Sequence, residues 1–188
     1  METIYEVAKV LVGIREVFMK KTVILILSII LSLAGCGNKD AQNDISEIIE
    51  IDVSSGTIVE ESDSHGGPHG DGLLFQQISF EDSKVLEEIK GNQNWKSFPL
   101  SRNIEELVYG VKVSTEDCVR IHGPYLIDEN RNTIIPEIQN GYYYFYDRQS
   151  ESEDPYNDEN VLNRASFNFT LVLYDSDNNV LYYVEFDT

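Results

Sequence analysis

The chain has 188 residues, with 33 acidic and 14 basic side chains and a formal net charge of −19 at pH 7. This negative charge repels nucleic-acid phosphates and anionic lipid surfaces, which excludes direct nucleic-acid binding and requires an anchor for any membrane contact. The hydrophobic fraction of 41%, which includes eleven tyrosines, is high enough for a folded domain. The length fits one such domain with an appendage.

An export signal is predicted at residues 19–35. Met19 is followed by two lysines and an apolar segment that is shorter than the roughly 20 residues needed to span a bilayer. The sequence LAGC at residues 33–36 resembles the signal of bacterial lipoproteins. The resemblance implies cleavage before Cys36 and attachment of a diacylglycerol, with acyl chains such as palmitate, to the Cys36 thiol. These chains would hold the protein at the outer face of the bacterial cytoplasmic membrane.

Residues 1–18 precede a complete signal and contain three glutamates, whereas export signals begin with a basic segment. We interpret these residues as an upstream extension from a misassigned start, with Met19 as the true initiator. The polar composition that follows the signal predicts a tether over residues 36–57. The globular domain is then expected at residues 58–188.

The segment DSHGGPHGDG at residues 63–72 is a candidate metal site. His65, His69 and Asp71 supply two imidazoles and a carboxylate, which are ligand types that zinc uses in proteins. The glycines and the proline forbid the helix that would order the two histidines. Two alternatives stay open: a glycine-shaped turn with exposed histidines that leads into a strand, and a loop whose backbone N–H groups bind an anion.

The middle of the chain predicts one strand and two short helices. The alternation in GLLFQQISF at 72–80 indicates a partly buried strand. Asp82 is the predicted N-cap of the first helix, and Asn103 begins a predicted capping box on the second. The aromatic segment NWKSFPL at 94–100 lies between the helices, and we expect its large side chains in the core.

The C-terminal part of the chain predicts strands. Residues 141–147, 166–175 and 180–187 are rich in aromatic and β-branched side chains. In the second of these segments apolar and polar residues alternate, which predicts a sheet with one covered face. The residues SDNN at 176–179 predict a hairpin turn. We therefore expect an α+β fold: an antiparallel sheet of five or six strands with two short helices, preceded by an N-terminal signal helix.

A second resemblance covers residues 63–188. The segments HGGPHGDG, NWKSFPL, NGYYYFYDRQSESEDPYND and SFNFTLVLYDSDNNVLYYVEFDT resemble a family of small surface lipoproteins of Gram-positive bacteria. The resemblance implies a place at the cell envelope, and it brings no activity, substrate or catalytic residue with it. It therefore supports the lipoprotein prediction and leaves the role of the domain open.

Acidic side chains between residues 147 and 159 form a second candidate cation site. Glu151, Glu153, Asp154 and Asp158 supply carboxylate oxygens, the ligands that calcium prefers. The composition favours the alternative, a solvated acidic loop. Zinc at the histidine loop and calcium at this segment are therefore the two candidate cofactors.

Sequence motifs of common catalytic sites are absent: the chain contains no GxSxG, HExxH, GxxxxGK[ST] or paired CxxC. Cys118 is expected to be buried, and a strand would separate it from His122, which argues against a nucleophile–base pair. We expect a non-enzymatic binding or envelope-associated module. The alternatives are metal-dependent uptake or hydrolysis at the histidine loop, and a protein-interaction module that uses Tyr142, Tyr144 and Tyr146.

Overall fold

The computed structural model describes residues 37–66, 70–114, 118–149 and 153–188. The predicted signal helix and Cys36 lie outside these residues. The chain divides into two compact units, residues 1–44 and residues 45–188. Within the described part of the chain, no helix is both long and apolar enough to cross a membrane.

The described residues form α-helices, β-strands and one 3-10 turn at Val161–Asn163. In chain order the helices and strands are α1 (Gly37–Ile49), β1 (Thr57–Asp63), β2 (Gly72–Ser79), α2 (Lys84–Gly91), β3 (Trp95–Ser97), α3 (Arg102–Val108), β4 (Val111–Ser114), β5 (Val119–His122), β6 (Gly141–Asp147), β7 (Asn168–Asp175) and β8 (Val180–Asp187).

Six of the strands form one antiparallel sheet in the order β1-β2-β8-β7-β6-β3, and β4 pairs with β5 in a separate sheet. A tight turn at 176–179 joins β7 to β8, and Asp175 pairs with Val180 across it. Asn179 in this turn has a left-handed φ of 53°, a conformation that asparagine tolerates well. The predicted α+β fold and the predicted hairpin turn are confirmed.

Both faces of the six-stranded sheet are covered. Side chains of β7 point alternately into two hydrophobic clusters: Phe169, Leu171 and Leu173 belong to the first cluster, and Val172 and Tyr174 belong to the second. Helix α3 contributes to the first cluster, whereas α2 and the end of α1 contribute to the second. The prediction of one covered face was wrong, because alternation along one strand does not show that distant helices pack on its other side.

The segment 45–53, predicted as part of the tether, belongs to the core. The indole N–H of Trp95 donates to the carbonyl of Ile49 at 3.2 Å, which satisfies one of the acceptors left open at a helix C-terminus. This segment therefore lies in the globular unit and not in a tether, since its apolar residues pack beneath the sheet. Four of its side chains are buried in the second cluster: Ile45, Ile49, Ile51 and Val53.

Helix α3 begins at a serine that we did not single out from the sequence. Ser101 is extended at φ −61° and ψ 156°, and its hydroxyl accepts the N–H of Ile104 at 3.2 Å. These are the features of an N-cap. Asn103, the predicted cap, lies inside the helix, where its side-chain amide donates to the carbonyl of Asp158 at 2.8 Å.

Cys118 is exposed, which corrects the prediction of a buried thiol. The strand that follows, β5, contains His122 as predicted. This strand is itself exposed, with Val119 at 57% and Ile121 at 72%. The reason is topological: β5 pairs only with β4 among the described strands, so neither strand enters the six-stranded sheet.

Adjacent substitutions on β7 test the covering of both faces. We expect Leu171→Ala to lower the free energy of unfolding by about 2–5 kcal/mol and Val172→Ala by about 1.5–3 kcal/mol, because each deletion leaves a cavity. Both side chains are 0% exposed. Val59→Ala, at a position that is 54% exposed, is the control and should change the value by less than about 0.5 kcal/mol. Urea denaturation of the full chain measures all three, and a Val172 effect as small as the control would contradict the covered second face.

Candidate functional site

The loop at residues 63–72 connects β1 to β2 in a hairpin. The N–H of Ser64 donates to the carbonyl of Leu73 at 3.1 Å, and the N–H of Leu73 donates to the Ser64 hydroxyl at 2.8 Å. His65 packs directly on Gly72, where an added Cβ would lie 2.6 Å from the His65 nitrogen and 2.7 Å from its ring. The glycine at this position therefore allows the imidazole to lie close to the start of β2.

Both ring nitrogens of His65 face carboxylates. Nδ1 lies 2.7 Å from Oδ1 of Asp63, and Nε2 lies 3.2 Å from Oδ2 of Asp187. Burial lowers the pKa of His65, but hydrogen bonds to Asp63 and Asp187 raise it by more, so the pKa lies above its ordinary value. A protonated imidazole donates from both nitrogens and has no lone pair for a metal ion.

Of the three predicted zinc ligands, the structure describes two. His69 lies outside the described residues, His65 is paired with two carboxylates, and Asp71 is exposed. Among the side chains that the structure describes, no group of three or more His, Cys, Asp and Glu residues is arranged to hold a metal ion. Zinc binding by this loop stays a prediction.

Asp187 joins His65 to a second ion pair at the end of β8. Nη2 of Arg148 lies 2.8 Å from each carboxylate oxygen of Asp187, and Nη1 of Arg148 donates to Glu185. Arginine suits such pairs because its planar fork matches the geometry of carboxylates. We refer to five side chains as the charged row: Asp63, His65, Asp187, Arg148 and Glu185.

The charged row is partly withdrawn from solvent and has a net negative charge. The side chains of Arg148, Glu185 and Asp187 are 26%, 20% and 24% exposed. Three carboxylates face one guanidinium and one imidazole, so the sum is −1 with His65 protonated and −2 with His65 neutral. Residues two apart on a strand share a face, so Glu185 and Asp187 lie on the face of Tyr183, which belongs to the second cluster.

A cavity of about 320 Å³ adjoins the charged row, and we refer to it as the tyrosine cavity. The ring of Tyr156 meets that of Tyr144 at 77° with centroids 5.9 Å apart, and that of Tyr146 at 70° with centroids 5.4 Å apart. The hydroxyl of Tyr156 donates to Glu50 at 3.4 Å. The cavity is lined by Ile48, Glu50, Tyr144, Tyr146, Arg148, Tyr156, Thr170 and Glu185.

The three tyrosines predicted as an interaction surface do not share one exposed surface. Tyr144 is 1% exposed, and its hydroxyl donates to the carbonyl of Ile48 at 2.9 Å. Tyr146 is half-buried and lines the tyrosine cavity, whereas Tyr142 is half-buried and lines a separate cleft beside Phe98. Two of the three residues therefore contribute to a cavity, and Tyr144 is too buried to contact a protein partner.

The acidic segment that we considered for calcium is described only in part. Glu151 lies outside the described residues, and Glu153 and Asp154 are exposed. Asp158 is 6% exposed, and one of its carboxylate oxygens accepts the hydroxyl of Ser101. Calcium binding stays a prediction, with Asp158 already engaged in a contact within the protein.

Comparisons of this chain with protein-family models, with curated proteins and with solved structures find no match. The contacts of the site itself therefore define its chemistry. Those contacts combine a row of paired charges with a cavity lined by aromatic rings.

Arg148, Glu185 and Asp187 were not among our sequence-based candidates. The signal that points to them is the alternation in YVEFD at 183–187, where two acidic residues follow a buried tyrosine on one face. Carboxylates that turn toward a covered face need a cationic or donor partner. The partner here is Arg148, and identifying it requires knowing that β8 pairs with β7 and that β7 pairs with β6. Strand pairing is not a local property of the sequence.

His65 is expected to make stability depend on pH. Because its pKa is raised in the folded state, His65 contributes its full stabilisation below the unfolded pKa of 6.5 and loses it as the pH rises through the folded pKa. We expect the wild type to exceed His65→Gln in free energy of unfolding by up to about 1 kcal/mol near pH 5.5, and by progressively less toward pH 9. Urea denaturation across this range measures the difference, and a difference that grows with pH would contradict the pairing.

Arg148→Met tests whether the guanidinium neutralises the acidic end of β8. We expect the free energy of unfolding at pH 7 to fall by about 1–3 kcal/mol, because two partly buried carboxylates lose their donor while the apolar stem is kept. Arg120→Met on the exposed strand β5 is the matched control, with an expected change under about 0.5 kcal/mol. Chemical denaturation compares the two, and equal effects would show that Arg148 has no special role.

Proposed function

We propose that the protein is a lipid-anchored, non-enzymatic binding module, and that residues 45–188 hold a small ligand at the charged row and the tyrosine cavity. The sequence LAGC at 33–36 supports an anchor on Cys36. Two acyl chains on one thiol bind a membrane far more firmly than a single chain does. On this proposal the domain works at the outer face of a bacterial cytoplasmic membrane.

The observation that carries the binding function is the tyrosine cavity, in which aromatic rings adjoin Glu50, Arg148 and Glu185. Thr170 is 0% exposed and lines the cavity. Its hydroxyl interacts with the phenol of Tyr183, so it is not an open contact for a ligand. Aromatic and apolar walls with a small number of fixed polar groups are typical of small-molecule sites.

The side chains of the charged row are already paired with one another, which favours a binding function over a catalytic one. Glu185 accepts from Arg148 and from the hydroxyl of Tyr183, and Asp187 contacts both Arg148 and His65. A general acid or base must be able to reach a reacting proton, whereas these side chains are held by contacts within the protein. They are therefore suited to orienting a ligand. The volume of about 320 Å³ lies at the lower end of the roughly 300–1,000 Å³ found for small-molecule sites.

Labelling with a fatty-acid analogue in the native host tests the anchor. We expect the wild-type protein to incorporate the label and to sediment with membranes, and Cys36→Ser to lose both properties, because the Cys36 thiol is the proposed attachment atom. Cys118→Ser is the matched control and should retain both. Label on the Cys36→Ser protein, or an unlabelled wild type, would overturn the anchor.

A further inference from the structure

We propose that the tyrosine cavity binds an organic ammonium cation. This inference rests on the proposed binding function and names the chemical class of the ligand. The three tyrosine rings meet at angles near 70–77°, with Tyr156 common to both pairs. The rings of Tyr146 and Tyr156 are half-buried and line the cavity, and the electron-rich faces of aromatic rings attract cations that have been stripped of water.

The charges around the cavity favour a cation over an anion. Glu50 and Glu185 line it, and Arg148 is the cationic residue among its lining side chains in the described part of the chain. The charge of Arg148 is already matched, because its guanidinium contacts both Glu185 and Asp187. The four groups sum to −2, so an incoming anion meets net repulsion and an incoming cation meets net attraction.

The phenol hydroxyls of Tyr144 and Tyr156 already have partners within the protein. The hydroxyl of Tyr144 donates to the carbonyl of Ile48, and that of Tyr156 donates to Glu50. Burial raises the pKa of both phenols, so both stay neutral at physiological pH. A ligand therefore meets the half-buried rings of Tyr146 and Tyr156 and the carboxylates of Glu50 and Glu185.

A matched pair of probes separates charge from shape. Choline and its uncharged isostere 3,3-dimethylbutan-1-ol have the same outline, and only choline carries the positive charge. We expect choline to bind the full chain, purified in a non-ionic detergent, at least about tenfold more tightly than the isostere in isothermal titration calorimetry. Equal affinities, or no binding of choline, would overturn the cation assignment.

Variants then locate the bound probe. We expect Tyr156→Leu to weaken choline binding about tenfold or more, and Tyr156→Phe to preserve most of it, because phenylalanine keeps the ring face. Tyr142→Leu is the matched control, since Tyr142 shares β6 with Tyr146 but lines a different cleft. If Tyr156→Leu does not fold, as judged by circular dichroism, the exposed Glu50→Gln serves instead and should weaken choline several-fold while leaving the isostere unaffected. Loss of binding in the Tyr142 variant alone would overturn the location.

Two further experiments identify the source of the cation and distinguish failure of the cation assignment from failure of the binding function. Phosphatidylcholine vesicles that compete with choline would assign the ammonium to a lipid headgroup, and vesicles that do not compete would assign it to a free solute. If choline fails but neutral or anionic small molecules raise the melting temperature of the wild type and not of Tyr156→Leu, the cation assignment falls and the binding function stands. If no small molecule in such a panel raises the melting temperature, both fall.

Discussion

Burial of the central strand on both faces is the constraint on which the rest of the structure depends. Every residue of β7 from Phe169 to Tyr174 is 0% exposed, including the polar Thr170. A charged side chain in such a place would lose its hydration without gaining a partner. The acidic residues of β8 therefore lie at its C-terminal end, beyond Tyr183, where Arg148 reaches them from the end of β6.

The charged row is a consequence of this arrangement, and it ties together segments that are far apart in the chain. His65 and Asp187 are separated by 122 positions, and Arg148 and Asp187 by 39. The two contacts bring the β1–β2 hairpin and the end of β6 to the same carboxylate. The row therefore forms only when the sheet is complete, which makes the site a direct product of the strand order.

The strands were predictable because their signal is local. The segments at 141–147 and 180–187 show the aromatic and β-branched composition of strands, and both were predicted with the bounds that the structure has. The core role of the segment at 94–100 is likewise confirmed for Trp95, which is 6% exposed. The buried segment at 45–53 was missed because its isoleucines stand among polar residues. What makes them core residues is the sheet on which they pack.

The sequence by itself determined the fold class and the hairpin at 176–179, because alternation and turn chemistry are encoded in neighbouring residues. Only the tertiary structure decided that His65 contacts Asp187 and that Arg148 pairs with the carboxylates of Glu185 and Asp187. It also decided that Tyr144 is buried in the lining of the tyrosine cavity. These outcomes depend on strand register: Gly72 pairs with Asp187, and that pairing sets the imidazole beside the carboxylate. Register is fixed by the burial of whole faces of the sheet, a property of the assembled chain.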